Sequence, residues 1–84
     1  MRQNSRLLWL QFTEQLKLKN MVVKYNKESD AIYIQFSDAQ VFESDEDKPG
    51  IILDYDDHGN IIGIEILNAS QKTSQPNGIV YEVA

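Results

Sequence analysis

Asp54, Asp56, His58 and Glu65 are the side chains whose types and spacing come nearest to a chemical site. With Gly59, Asn60 and Ile61 they fall at positions one, three, five, six, seven, eight and twelve of a calcium loop, where only His58 departs from the usual oxygen ligand. Such a loop needs a helix on each side, the second folding its last carboxylate back onto the metal. Here both flanks, residues 51–55 and 61–67, are rich in Ile and form strands. At about 3.3 Å per residue, Glu65 would lie roughly 20 Å beyond Gly59, too far to close a cage on Asp54 and Asp56. The stretch therefore reads as a β-hairpin with a polar tip, Asp56-Asp57-His58-Gly59-Asn60.

Other chemistry is sparse. His58 is the only histidine, and at a turn tip it reads as a solvated residue. The glycines at 50, 59, 63 and 78 are scattered and make no phosphate loop. Asp54, Asp56, Asp57 and Glu65 can be read as an acid pair or a magnesium cluster, but turn formers and outward-facing strand acids are the simpler reading. No nucleophile–base set is present, so no catalytic residue, cofactor or metal is expected. Two mid-strand residues stand out. Glu65 sits between Ile64 and Ile66, and if buried it needs a partner, for which Tyr33 and Lys24 are candidates. Gly63 suggests a close approach, by an aromatic ring such as Tyr33 or Tyr55 or by a second subunit.

The hairpin register is ambiguous. Gly59 as the third residue of a three-residue loop suits a type I turn with a bulge, which places Asp56 opposite Asn60, Asp54 opposite Ile62, and Glu65 opposite Ile51. A two- or four-residue loop instead puts Ile51, Leu53 and Tyr55 on the face of Ile62, Ile64 and Ile66, a cleaner alternation. The Gly59 bulge is the expectation. Either register leaves apolar side chains on both faces, so each face needs cover.

The elements that position these residues follow from pattern. Leu8, Phe12 and Leu16 recur at helical spacing, with Asn4 or Ser5 as cap, and predict an N-terminal helix over one face of the sheet. Residues 22–25 and 31–36 read as strands around a polar turn, with Ile32, Ile34 and Phe36 on one face and Tyr33 and Gln35 on the other. Residues 40–44 predict a short strand ahead of the acidic run Asp45-Glu46-Asp47, and Lys48-Pro49-Gly50 a turn. Residues 70–78 read as loop and 79–83 as a last edge strand. The expected fold is mostly β: a small antiparallel meander of four to six strands, residues 21–84, with residues 1–20 as an extension.

Eighty-four residues make one small domain, which buries only about 60–65% of its unfolded surface. The absence of cysteine removes disulfides and thiolate metal sites and suits a reducing cytoplasm. No signal peptide or membrane-length apolar run is read. Charge is uneven. Residues 1–24 carry five basic groups and one acid, residues 25–66 two lysines and eleven acids, and residues 67–84 one of each: +4, −9 and 0, for the net −5. The acidic body repels phosphate backbones and attracts basic proteins.

Residues 21–70 resemble the small prokaryotic domain-of-unknown-function family numbered 2283. The resemblance rests on Tyr25, Asp30-Ala31-Ile32-Tyr33-Ile34, Pro49-Gly50, Leu53-Asp54-Tyr55-Asp56 and Gly63-Ile64-Glu65-Ile66-Leu67-Asn68-Ala69-Ser70. It implies no activity. Members resemble small partners encoded beside toxin-like proteins, which implies an antitoxin-like role. The expectation is a non-enzymatic interaction domain, a dimer, binding a basic protein through Phe42, Glu43, Asp45, Glu46, Asp47, Tyr55, Asp56 and Asp57. The alternative is a small-molecule or metal-binding module at the acidic hairpin tip.

Overall fold

A computed structural model describes residues 20–84. The helix expected within residues 1–20 falls outside the described residues. Among the described residues five strands form one antiparallel sheet: β1 (Val22–Asn26), β2 (Ala31–Gln35), β3 (Glu43–Lys48), β4 (Ile51–Tyr55) and β5 (Ile61–Ile66). A single 3₁₀ turn, Ala69–Gln71, follows.

The strand order is β1-β2-β5-β4-β3, not the sequential order of a simple meander. The β1–β2 hairpin and the β3–β4–β5 meander join through the β2–β5 pair. The connection from β2 must therefore span two strands to start β3 at the far edge. This places β5, with its four isoleucines, at the centre, where both its edges are hydrogen-bonded.

Local chemistry sets each turn. After β1, the Asn26 side-chain oxygen accepts from the Ser29 amide at 3.1 Å, and Asp30 closes the turn with φ +53°. Asx side chains tolerate that left-handed conformation better than most. Between β3 and β4, Lys48 pairs with Ile51, so Pro49-Gly50 is a two-residue turn. Proline fixes the first φ, and glycine accepts +82° at the second. The Glu46 carboxylate accepts from the Gly50 amide at 2.9 Å.

The hairpin reconciles turn chemistry with hydrophobic pattern. At its tip the Asp56 amide donates to the Asn60 carbonyl at 2.9 Å, and Gly59 has φ +82°, as the Gly59 loop requires. Tyr55 then pairs with Ile61, but Asp54 pairs with Gly63, so Ile62 is an extra residue. Below that bulge Leu53 opposes Ile64, Ile52 opposes Glu65 and Ile51 opposes Ile66. The expected pairings of Asp54 with Ile62 and Glu65 with Ile51 are thus overturned. The bulge restores the register in which apolar side chains share a face.

Two further expectations change. The acidic run lies inside β3, not after it, because β3 is an edge strand in which acids can face water. The strand expected over residues 79–83 does not form: that segment pairs with no strand among the described residues, and Ile79, Val80, Tyr81 and Val83 are 71–82% exposed.

Candidate functional site

Cross-strand rows define the chemistry of the two faces. On one face a row runs Val22, Gln35, Gly63, Asp54, Ser44, and the next runs Lys24, Tyr33, Glu65, Ile52, Glu46. Within β2, β4 and β5 every residue of these rows is buried. Asp54 and Glu65, expected to face outward, are at 0% and 1% relative exposure. The Tyr33 hydroxyl donates to Asp54 Oδ2 at 2.8 Å, and the Ser44 hydroxyl donates to Asp54 Oδ1 at 2.6 Å. The carboxylate thus accepts on both oxygens, as burial demands. Lys24 lies across from Tyr33, which lies across from Glu65, so both candidate partners for that acid share its row. Burial of the Lys24 ammonium pushes its pKa below the usual lysine range.

Gly63 makes the Tyr33–Asp54 bond possible. A Cβ at position 63 would collide with the Tyr33 hydroxyl and would lie 2.9 Å from its Cζ. The Tyr33 ring therefore crosses over Gly63 to reach Asp54, which pairs with that glycine from the other side. The close aromatic approach expected from sequence is this one.

A second cluster ties the end of the sheet. Asp30 accepts from the Ser70 hydroxyl at 2.7 Å, the Tyr25 hydroxyl at 2.8 Å and the Ser70 amide at 3.1 Å. The Asp30 carbonyl accepts from the Ala69 amide at 2.9 Å. The Ser70 hydroxyl, then the Tyr25 hydroxyl, hold the Asp30 carboxyl below its ordinary value. The same bond raises the Tyr25 phenol above its own. Ser44 was not singled out from sequence, and Asp30 and Ser70 only as residues that carry the family resemblance. Asp54 was, but in the wrong role, although its parity with Ile52 along β4 signals that it faces inward.

The exposed candidates gather elsewhere. Phe42, Glu43, Asp45, Tyr55, Asp56 and Asp57 line one open groove with Gly59, beside the hairpin tip. Glu46 and Asp47 do not join them. Glu46 pairs with Ile52, on the opposite face from Asp45, and holds the Gly50 amide. Asp47 sits at the β3 bulge. At the tip, Asp56 accepts from the His58 and Asn60 amides, each at 2.9 Å, and from the Asn60 side chain at 3.0 Å. The Asn60 amide, then its side chain, lower the Asp56 pKa. His58 Nδ1 lies 2.9 Å from Asp57, and both side chains are largely exposed. Asp56, Asp57 and His58 could offer ligand atoms within 4.8 Å of one another, but the Asp56 oxygens already hold the turn together. Asp54 and Glu65, the first and last residues of the calcium-loop spacing, point into the sheet's buried face.

The molecule is a small antiparallel sheet domain with one buried polar face and an acidic groove at its rim. Its sequence matches the family described as Protein of unknown function (DUF2283) over residues 22–70, and the chain belongs to that family. No curated protein and no solved structure matches it. Tyr25, Asp30 and Ser70, three residues that carry the family resemblance, form the sheet-end cluster, and Tyr33, Asp54 and Gly63 form the buried crossing. Among the described residues no helix is long and apolar enough to cross a membrane.

Proposed function

We propose that the protein is a non-enzymatic interaction module whose acidic groove takes basic side chains of a protein partner. The supporting observation is the convergence of Phe42 and Tyr55 with Glu43, Asp45, Asp56 and Asp57 around one open groove. Carboxylates attract Lys and Arg over a distance, and aromatic faces add cation–π contacts once a guanidinium docks. An antitoxin-like role, capping a basic toxin encoded nearby, is one form of this reading. Residues 1–20 are an extension to the sheet domain in the same reading, and their apolar positions Leu8, Phe12 and Leu16 suit a covering helix.

A metal-binding tip is the second reading, favoured only by the proximity of Asp56, Asp57 and His58. The test of the first is association kinetics with the neighbouring gene's product and with an arginine-rich peptide, at about 0.1 M and 1 M salt, across which the Debye length falls from ~10 Å to ~3 Å. Glu43→Lys with Asp45→Lys should slow association and abolish its salt dependence while the fold remains. Association indifferent to salt and to both reversals would defeat the proposal.

A further inference from the structure

Gln35, Tyr33, Glu65, Ile52 and Asp54, along the middle of one face of the sheet, are 0–3% exposed. A sheet one layer thick would offer that face to water, so a second layer must stand over it. Among the described residues none does. The β2–β3 connection keeps Phe36 and Phe42 at 44% and 71% exposure. The 3₁₀ turn is tied to Asp30 at the end of the sheet, and residues 77–84 are exposed throughout. The face also needs charge. Tyr33 and Ser44 satisfy Asp54 with neutral hydroxyls, and Lys24 stands two strands from Glu65 with Tyr33 between them. A carboxylate as deeply buried as that of Glu65 needs a cation or several donors close by.

We infer that residues 1–19 of the same chain form that layer, lying on the polar face and bringing a cation to Glu65. The segment joins the sheet at β1, through residues 20 and 21, beside the row of Val22, Gln35 and Gly63. It holds Arg2, Arg6, Lys17 and Lys19 against one acid, Glu14, and the face holds Asp54, Glu65 and Glu46. Leu8, Phe12 and Leu16 recur at helical spacing and suit the apolar part of the face, Val22, Tyr33 and Ile52. As a helix, residues 4–19 would run about 24 Å, against about 19 Å across five strands. The opposite face carries no such sign of cover: Ile32, Ile34, Leu53 and Ile64 are only half-buried, and Val23 is 40% exposed. This placement rests on the covering role proposed for the segment, and it stands whether or not the acidic groove takes a basic partner.

Trp9 is the one tryptophan of the chain, so its indole N–H resonance reports where the segment lies. The chain lacks cysteine, so a single substitution places a nitroxide. Glu46→Cys and Asp45→Cys put it at neighbouring exposed positions of β3, on the polar and the apolar side of the sheet. In the full chain the nitroxide at position 46 should broaden the Trp9 resonance several-fold more than the one at position 45. Equal broadening, or the reverse order, would overturn the placement. Broadening of isotope-labelled wild type by unlabelled chains that carry the nitroxide would also overturn it, because the segment would then be exchanged between copies. Double-mutant cycles on urea unfolding find the cation. One of Arg2→Gln, Arg6→Gln, Lys17→Gln and Lys19→Gln should shift the folding equilibrium about tenfold or more in the wild type, and several-fold less beside Glu65→Gln. Coupling of Glu65 to Lys24→Gln alone, or to none of these, would overturn the charge pairing. The nitroxide measurement decides the placement even if Glu65→Gln fails to fold.

Discussion

The two faces of the sheet invert the usual arrangement. The face carrying Tyr33, Gln35, Asp54 and Glu65 is the buried one, and the face carrying Ile32, Ile34, Leu53, Ile64 and Ile66 is only half-buried. Burial of polar side chains is tolerated where hydrogen bonds replace water, and Asp54 meets that condition with two hydroxyl donors. A network of this kind fixes which residues oppose which, since no slipped register would reunite Tyr33, Gly63 and Asp54. The apolar face constrains register more loosely, only by keeping its side chains on one side of the sheet.

Substitutions should therefore act unequally on the two faces. The largest effect is expected at Gly63. Gly63→Val pushes the Tyr33 ring off its path and strips Asp54 of a donor. Overpacking and a lost bond to a buried charged group together cost about 3 kcal/mol or more, enough to unfold a small domain, as a urea titration would show. Tyr33→Phe keeps the ring but deletes the hydroxyl. It should cost about 1–3 kcal/mol on the same titration. On the other face, Leu53→Thr should cost only about 1 kcal/mol, because the side chain is partly open to begin with.

The smallest effect concerns pH. Asp30 and Asp56 have folded-state pKa values below their unfolded ones, so their contribution is full above the unfolded value and is lost as pH falls through the folded one. Tyr25, raised by Asp30, contributes below its unfolded value and ceases to as pH rises through the folded one. Urea midpoints should thus fall modestly at the acidic end. Asp30→Asn, which tolerates the positive φ, should flatten part of that limb.

The hairpin shows what was legible and what was not. Period-two alternation placed β2, β4 and β5 and correctly split Tyr33 and Gln35 from Ile32 and Ile34. Gly59 correctly announced the turn, but turn chemistry is local and could not reveal the bulge at Ile62 that resets the pairing below it. Aspartate and glutamate in strands read as outward-facing because unpaired charge is expensive to bury. The hydroxyls that relieve that cost for Asp54 come from 21 and 10 residues away, a relation that only the fold creates. The same holds for Asp30 and Ser70, 40 residues apart. Of the residues expected to meet a partner, Phe42, Glu43, Asp45, Tyr55, Asp56 and Asp57 lie together beside the hairpin tip, while alternation along β3 sends Glu46 to the other face.

The inversion of faces is tested most directly at two adjacent residues of β2. Ile34 lies on the half-buried apolar face, and Gln35 is 3% exposed on the polar one. The measurement is the urea midpoint of Ile34→Glu against Gln35→Glu in dilute protein. A glutamate at position 34 can turn its carboxylate to water across the partly open face, so that variant should stay folded with about 1–2 kcal/mol lost. A glutamate at position 35 keeps the shape of the side chain but loses the amide that donates to the Ser37 carbonyl at 3.0 Å. It also adds an acid to the buried row that already holds Asp54, and should cost about 3 kcal/mol or more. A tolerated Gln35→Glu beside an unfolded Ile34→Glu would contradict the account, because the apolar face would then be the inside of the molecule.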